Sequence, residues 1–120
     1  MELKLNIYTN KFCREVKRQV TARDFELSTG ICEDVLNVIN IDALDGGFFA
    51  LSNESKTEIA IGIVRNGFPF FKELMQELFE ISDEEIRNTK IAEIAAVVIQ
   101  IVEYSKKELF SSLGGKNAKN

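Results

Sequence analysis

Leu3, Leu5 and Ile7 alternate with Lys4, Asn6 and Tyr8, which is the two-residue period of a half-buried strand over residues 3–9. The next stretch is less regular. Val16 and Val20 share one face, and Phe25 and Leu27 continue at period two. A second strand is expected around residues 15–22, paired with the first as a hairpin through the turn NKFCR.

After residue 28 the period changes. Ile31, Val35, Val38, Ile39 and Asp42 fall at helical spacing, with Thr29 as the expected N-cap and Glu33 and Asp34 in the first turn. Asp45, Gly46 and Gly47 stop that helix, and the following FFAL is expected to tuck two aromatics into the core. A second helix opens at Ser52 or Asn53, carries Ile59, Ile63 and Val64 inward and ends at Gly67. Pro69 then starts a third, because a first-turn residue needs no backbone N–H. Phe71, Leu74, Met75, Leu78 and Phe79 form its apolar stripe. Ser82 and Glu85 have the spacing of a capping box, which begins a short helical turn through Ile86. A long last helix runs from about Lys90 to Leu113, with Thr89 as its cap and Glu103 and Lys107 as an i, i+4 pair.

The expected fold is therefore α+β and mostly helical: an N-terminal β-hairpin followed by about four helices, the last long and apolar. Residues 1–113 form a single domain, and residues 114–120 a flexible C-terminal tail. At 120 residues, 45% hydrophobic and 28% charged, the chain needs neither a disulfide nor a metal to bury a core. Cys13 and Cys32 lie in no metal-ligand spacing and are read as reduced thiols. The N-terminus lacks the pattern of a signal peptide and no apolar run reaches a membrane span, so a soluble, intracellular protein is expected.

Charge and composition narrow the chemistry. A net charge of −4 works against nucleic-acid binding, although Lys11, Arg14, Lys17, Arg18 and Arg23 make one basic stretch. On a hairpin, such charges more often form a solvated face. Histidine is absent, which removes imidazole bases, imidazole ligands and the Ser-His and Cys-His pairs. Asp83, Glu84 and Glu85 are explained by capping and the helix dipole. The DALDGG stretch lacks spaced calcium ligands, and Gly46-Gly47 has no Lys-Ser or Lys-Thr after it. Cys13, among basic neighbours, is expected to have a lowered thiol pKa, but it has neither a base nor a resolving partner. No catalytic residue, cofactor site or metal site is assigned.

The last helix carries more information. From residue 91 to residue 102 only Glu93 and Gln100 are polar, seven positions apart on one side. A helix so apolar is either central in the core or shared with another surface. Its candidate face for a partner or for self-association is Ile91, Ile94, Val97, Val98, Ile101 and Val102.

Three ordered pieces, ARDFELSTGICEDVLNVINIDAL, FFKELMQELFEISDEEIRNT and KIAEIAAVVIQIVEYSKKEL, follow a basic hairpin and cover nearly the whole chain. Together they resemble the tail assembly chaperones of long-tailed bacteriophages, particularly those of phages and prophages of Gram-positive hosts. The resemblance implies a non-enzymatic protein of the host bacterial cytoplasm, acting as a homo-oligomer. Such chaperones coat the tape measure protein until tail tube protein polymerises around it, and they are absent from the finished tail. In many such phages, backward ribosomal slippage near the end of the gene adds an extension that recruits tail tube protein. Lys-Asn, the pair encoded by one slippery run, occurs here at Lys116-Asn117 and Lys119-Asn120. The alternative is a generic small α+β adaptor or oligomerisation domain from a phage or bacterial operon. A carboxylate- or metal-dependent enzyme is a remote third.

Overall fold

The computed structural model describes residues 2–23, 27–39 and 50–118, with side chains described as far as Lys107. Strand β1 (Glu2–Tyr8) pairs antiparallel with β2 (Val16–Arg23), in a register that sets Leu3 opposite Ala22 and Leu5 opposite Val20. Five helices follow among the described residues: α1 (Thr29–Ile39), α2 (Asn53–Asn66), α3 (Phe68–Phe79), the five-residue α4 (Asp83–Arg87) and α5 (Ile91–Ala118). The fold is α+β and mostly helical, as the periodicity indicates.

Leu3, Leu5, Ile7, Val20 and Ala22 are buried, so one face of the hairpin lies on the core. The register shifts by one residue between Ile7 and Tyr8, where Ile7 faces Arg18 and Tyr8 faces Val16. Such a bulge breaks the alternation, and Ile7 and Tyr8 are both buried. Val16 is exposed. It shares a face with Val20 by period, but it lies beyond the shift, where the ribbon has left the core.

Several helix boundaries move by a residue for identifiable reasons. Ser28, rather than Thr29, caps α1: its Oγ accepts the Ile31 amide at 3.1 Å. Ser52 caps α2 and accepts the Ser55 amide. The capping box of Ser82 and Glu85 is complete in both directions. Thr89 does not cap α5. Its hydroxyl donates to the Ile86 carbonyl at 2.7 Å, and the Lys90 carbonyl accepts the Glu93 and Ile94 amides. At the end of α3, Glu80 adopts φ 54°, the left-handed conformation usual for glycine at this position.

The interior is one cluster. Cys32, Val35, Leu36 and Ile39 of α1 join Ala60 and Val64 of α2 and Phe71, Leu74, Met75 and Phe79 of α3. Ile59, read as inward-facing, is exposed on α2, and Val38, at helical spacing with Val35 and Ile39, is exposed on α1. Glu103 lies 3.8 Å from Lys56 and so ties α5 to α2, rather than pairing along its own helix with Lys107. Helix α5 continues to Ala118, beyond the boundary at residue 113, and takes in Gly114 and Gly115. Phe25, Asp42, residues 45–47, Phe48 and Phe49 lie outside the described residues.

Candidate interaction surfaces

The apolar stripe of α5 is core. Ile94, Val97, Val98, Ile101 and Val102 are all 2% exposed or less, because α5 is enclosed by α2, α1 and β1. Five of the six residues read as a candidate partner or self-association face are therefore consumed in folding, and Ile91, at 36%, is the one at the surface. Lys116 and Asn117 fall in the last turn of α5, and Lys119 and Asn120 lie outside the described residues.

Among the described residues the most exposed large apolar side chain stands at the hairpin tip. Phe12 is 66% exposed. The Asn10 side chain accepts the Phe12 amide, and the Asn10 carbonyl accepts that of Cys13, which closes a turn that sets Cys13 at φ 53°. The Lys11 ammonium and the Arg14 guanidinium stand 5.7 and 5.8 Å from the Phe12 ring centre, within cation–π range. Lys11, Arg14 and Lys17 have no carboxylate at ion-pair distance among the described residues. Cys13 departs from the sequence reading. Burial pushes its thiol pKa up, and Lys90, whose charge lowers it, does not overcome that.

The tip is braced from behind. The Tyr8 amide donates to the Asn88 carbonyl at 2.8 Å, the Tyr8 hydroxyl donates to Glu93 Oε2, and the Lys90 ammonium lies 5.0 Å over the Tyr8 ring. The hydrogen bond to Glu93 raises the Tyr8 pKa. Burial and the Glu93 charge act the same way, while Asn6 and Lys90 oppose them. On the other strand, Arg18 reaches Glu85 Oε2 through Nε at 3.0 Å and Nη2 at 2.6 Å. That contact, with the Ser82 amide, holds the Glu85 carboxyl below its ordinary pKa. A cavity of about 350 Å³ remains between tip residues Thr9–Phe12 and Glu84, Arg87 and Asn88.

A groove of opposite charge runs between α1 and α3. Two adjoining cavities of about 320 and 310 Å³ share Ile31 and Glu77. Ile31, Phe70, Leu74 and Leu78 give the groove an apolar floor. Asp34, Glu73, Glu77 and Glu80 line it as well, and none has an ion-pair partner among the described residues. Phe70, Glu73, Leu74, Glu77 and Leu78 sit at i, i+3, i+4, i+7 and i+8, a second stripe that shares Leu74 and Leu78 with the apolar one. That pattern is present in the sequence, but its opposition to α1 is a tertiary fact.

Among the described residues, no group of three or more His, Cys, Asp or Glu is placed to hold a metal ion, and no helix is long and apolar enough to cross a membrane. Comparison with protein-family models, curated proteins and solved structures finds no match for the chain.

Proposed function

We propose that the chain is a non-enzymatic chaperone of phage tail assembly, working in the host bacterial cytoplasm, where many copies cover the tape measure protein until tail tube protein replaces them. The reading starts from the ordered pieces of sequence that resemble such chaperones. The observation that supports it most is physical. The described surface presents two unneutralised patches of opposite sign, the basic tip around exposed Phe12 and the acid-rimmed apolar groove. Surfaces of this kind suit weak contacts repeated over many copies. A long helical client with apolar stripes aggregates unless covered, and a cover that must later leave is best built from individually modest interactions.

The buried stripe of α5 changes one part of the reading. Client and neighbouring copies must be met by other surfaces, because that stripe is spent on the core. A longer, frameshifted form would carry its extension from the end of α5 and use it to recruit tail tube protein. Co-expression with the tape measure protein of the same gene cluster tests the proposal. Soluble tape measure protein that co-purifies with many copies of this chain is the expected result. Aggregation of the tape measure protein regardless of this chain would leave the generic adaptor.

A further inference from the structure

We propose that copies of this chain join head to tail, with the basic hairpin tip around Phe12 of one copy seated in the acid-rimmed groove between α1 and α3 of the next. This deepens the coating role and rests on it for the premise that copies associate.

The two surfaces match in three respects. The tip offers an exposed aromatic side chain, and the groove offers an apolar floor. Lys11 and Arg14 stand beside the Phe12 ring, and Lys17 follows at the start of β2. Asp34, Glu73, Glu77 and Glu80 line the groove, and neither set has ion-pair partners within its own chain among the described residues. Burying either set against an apolar partner would strand charge, whereas each neutralises the other. The surfaces are also separate: within one copy the tip lies over α4, and the groove is lined by α1, α3 and Glu80. A contact between two different patches is heterologous, so each copy keeps a free tip or groove for another, and growth continues into a ring or an open helix. An overall charge of −4 hides this arrangement, because the opposing patches largely cancel in the sum.

Charge reversal in the full chain tests the contact. One variant carries Lys11→Glu with Arg14→Glu, and the other carries Glu73→Lys with Glu77→Lys. All four positions are exposed, and matching thermal melts establish that both variants fold. In sedimentation velocity, wild type is expected to form species beyond the dimer, weakened by salt. Each variant alone is expected to associate at least about tenfold more weakly. Mixing the two in equal amounts restores association, because the acidic tip of one meets the basic groove of the other. Wild type that stays monomeric at every concentration overturns this contact together with the coating role. If wild type and both variants associate equally well, this contact alone is overturned and the coating role stands. Variants that are monomeric singly and stay so when mixed also overturn the tip-to-groove pairing.

Discussion

Tyr8 and Glu93 are 85 residues apart in sequence, and the phenol of one donates to the carboxylate of the other, fixing the end of β1 to the first turn of α5. The protonated phenol is the form that donates, so the folded pKa of Tyr8 is raised above its ordinary value near 10. The stabilisation is present in full below the unfolded pKa and is lost as pH rises through the folded one. Tyr8→Phe is therefore expected to be less stable than wild type at pH 7, and the two should converge in strongly alkaline solution. Urea denaturation of both proteins across that range would show it. A gap that persists unchanged above the folded pKa would mean that the hydroxyl acts otherwise.

Glu85 has the opposite sign. Its carboxyl is held below the ordinary range, first by Arg18 and then by the Ser82 amide. That contribution exists above the unfolded pKa and disappears as pH falls through the folded one. Glu85→Gln should flatten the acid limb of the stability curve. Ser82→Ala, which removes the other half of the capping box, should destabilise by about 1 kcal/mol. Chemical denaturation at pH 7 and pH 3 separates the two effects.

Val98→Asp should abolish folding, rather than merely weaken assembly. Val98 is 2% exposed, and nothing in the core cluster can pair with a carboxylate there. An uncompensated buried charge costs several kcal/mol, comparable with the whole stability of a domain this size. Loss of the cooperative melt in circular dichroism is the expected outcome. A variant with native-like melting would mean that the α5 stripe is accessible after all.

Ser105 is fully buried on α5, and its hydroxyl has no hydrogen-bond partner among the described residues. Replacing it with alanine removes a desolvated polar atom and improves helix propensity. Ser105→Ala should raise stability by about 1 kcal/mol, which is readable as a higher urea midpoint with an unchanged slope.

Glu80→Gly should also stabilise. A side chain at φ 54° carries a penalty that glycine avoids, on the order of 1 kcal/mol. Because Glu80 also borders the groove, the same variant should associate somewhat more weakly while melting higher. That divergence would separate the backbone effect from the surface effect.

How much was legible in the sequence varied with the range of the interaction responsible. Alternation over residues 3–7, the stripe of α3 and the Ser82–Glu85 box were all readable, because each is set by neighbours within one or two turns. The cap of α1 falls at Ser28 rather than Thr29 because both adjacent hydroxyls offer a usable acceptor, whereas Thr89 is lost as a cap of α5 because its hydroxyl is engaged by the Ile86 carbonyl. The α5 stripe could be recognised as apolar but not assigned to core or partner, since that depends on whether α1, α2 and β1 surround it. Cys13 shows the same limit. Its basic neighbours in sequence point to a lowered thiol pKa, but burial decides the direction. The groove was not read at all, because its walls come from helices separated by α2.

The ties at Tyr8, Asn88 and Arg18 leave the hairpin little freedom to sway, since both strands are moored to the α4–α5 corner close to the exposed end. A protruding finger on a loose base would have to be stilled whenever it met something, and that entropy would be subtracted from every encounter. Here the stilling is done once, during folding. Phe12 is presented like a peg already set in its board, and even a small contact made through it can keep most of its free energy.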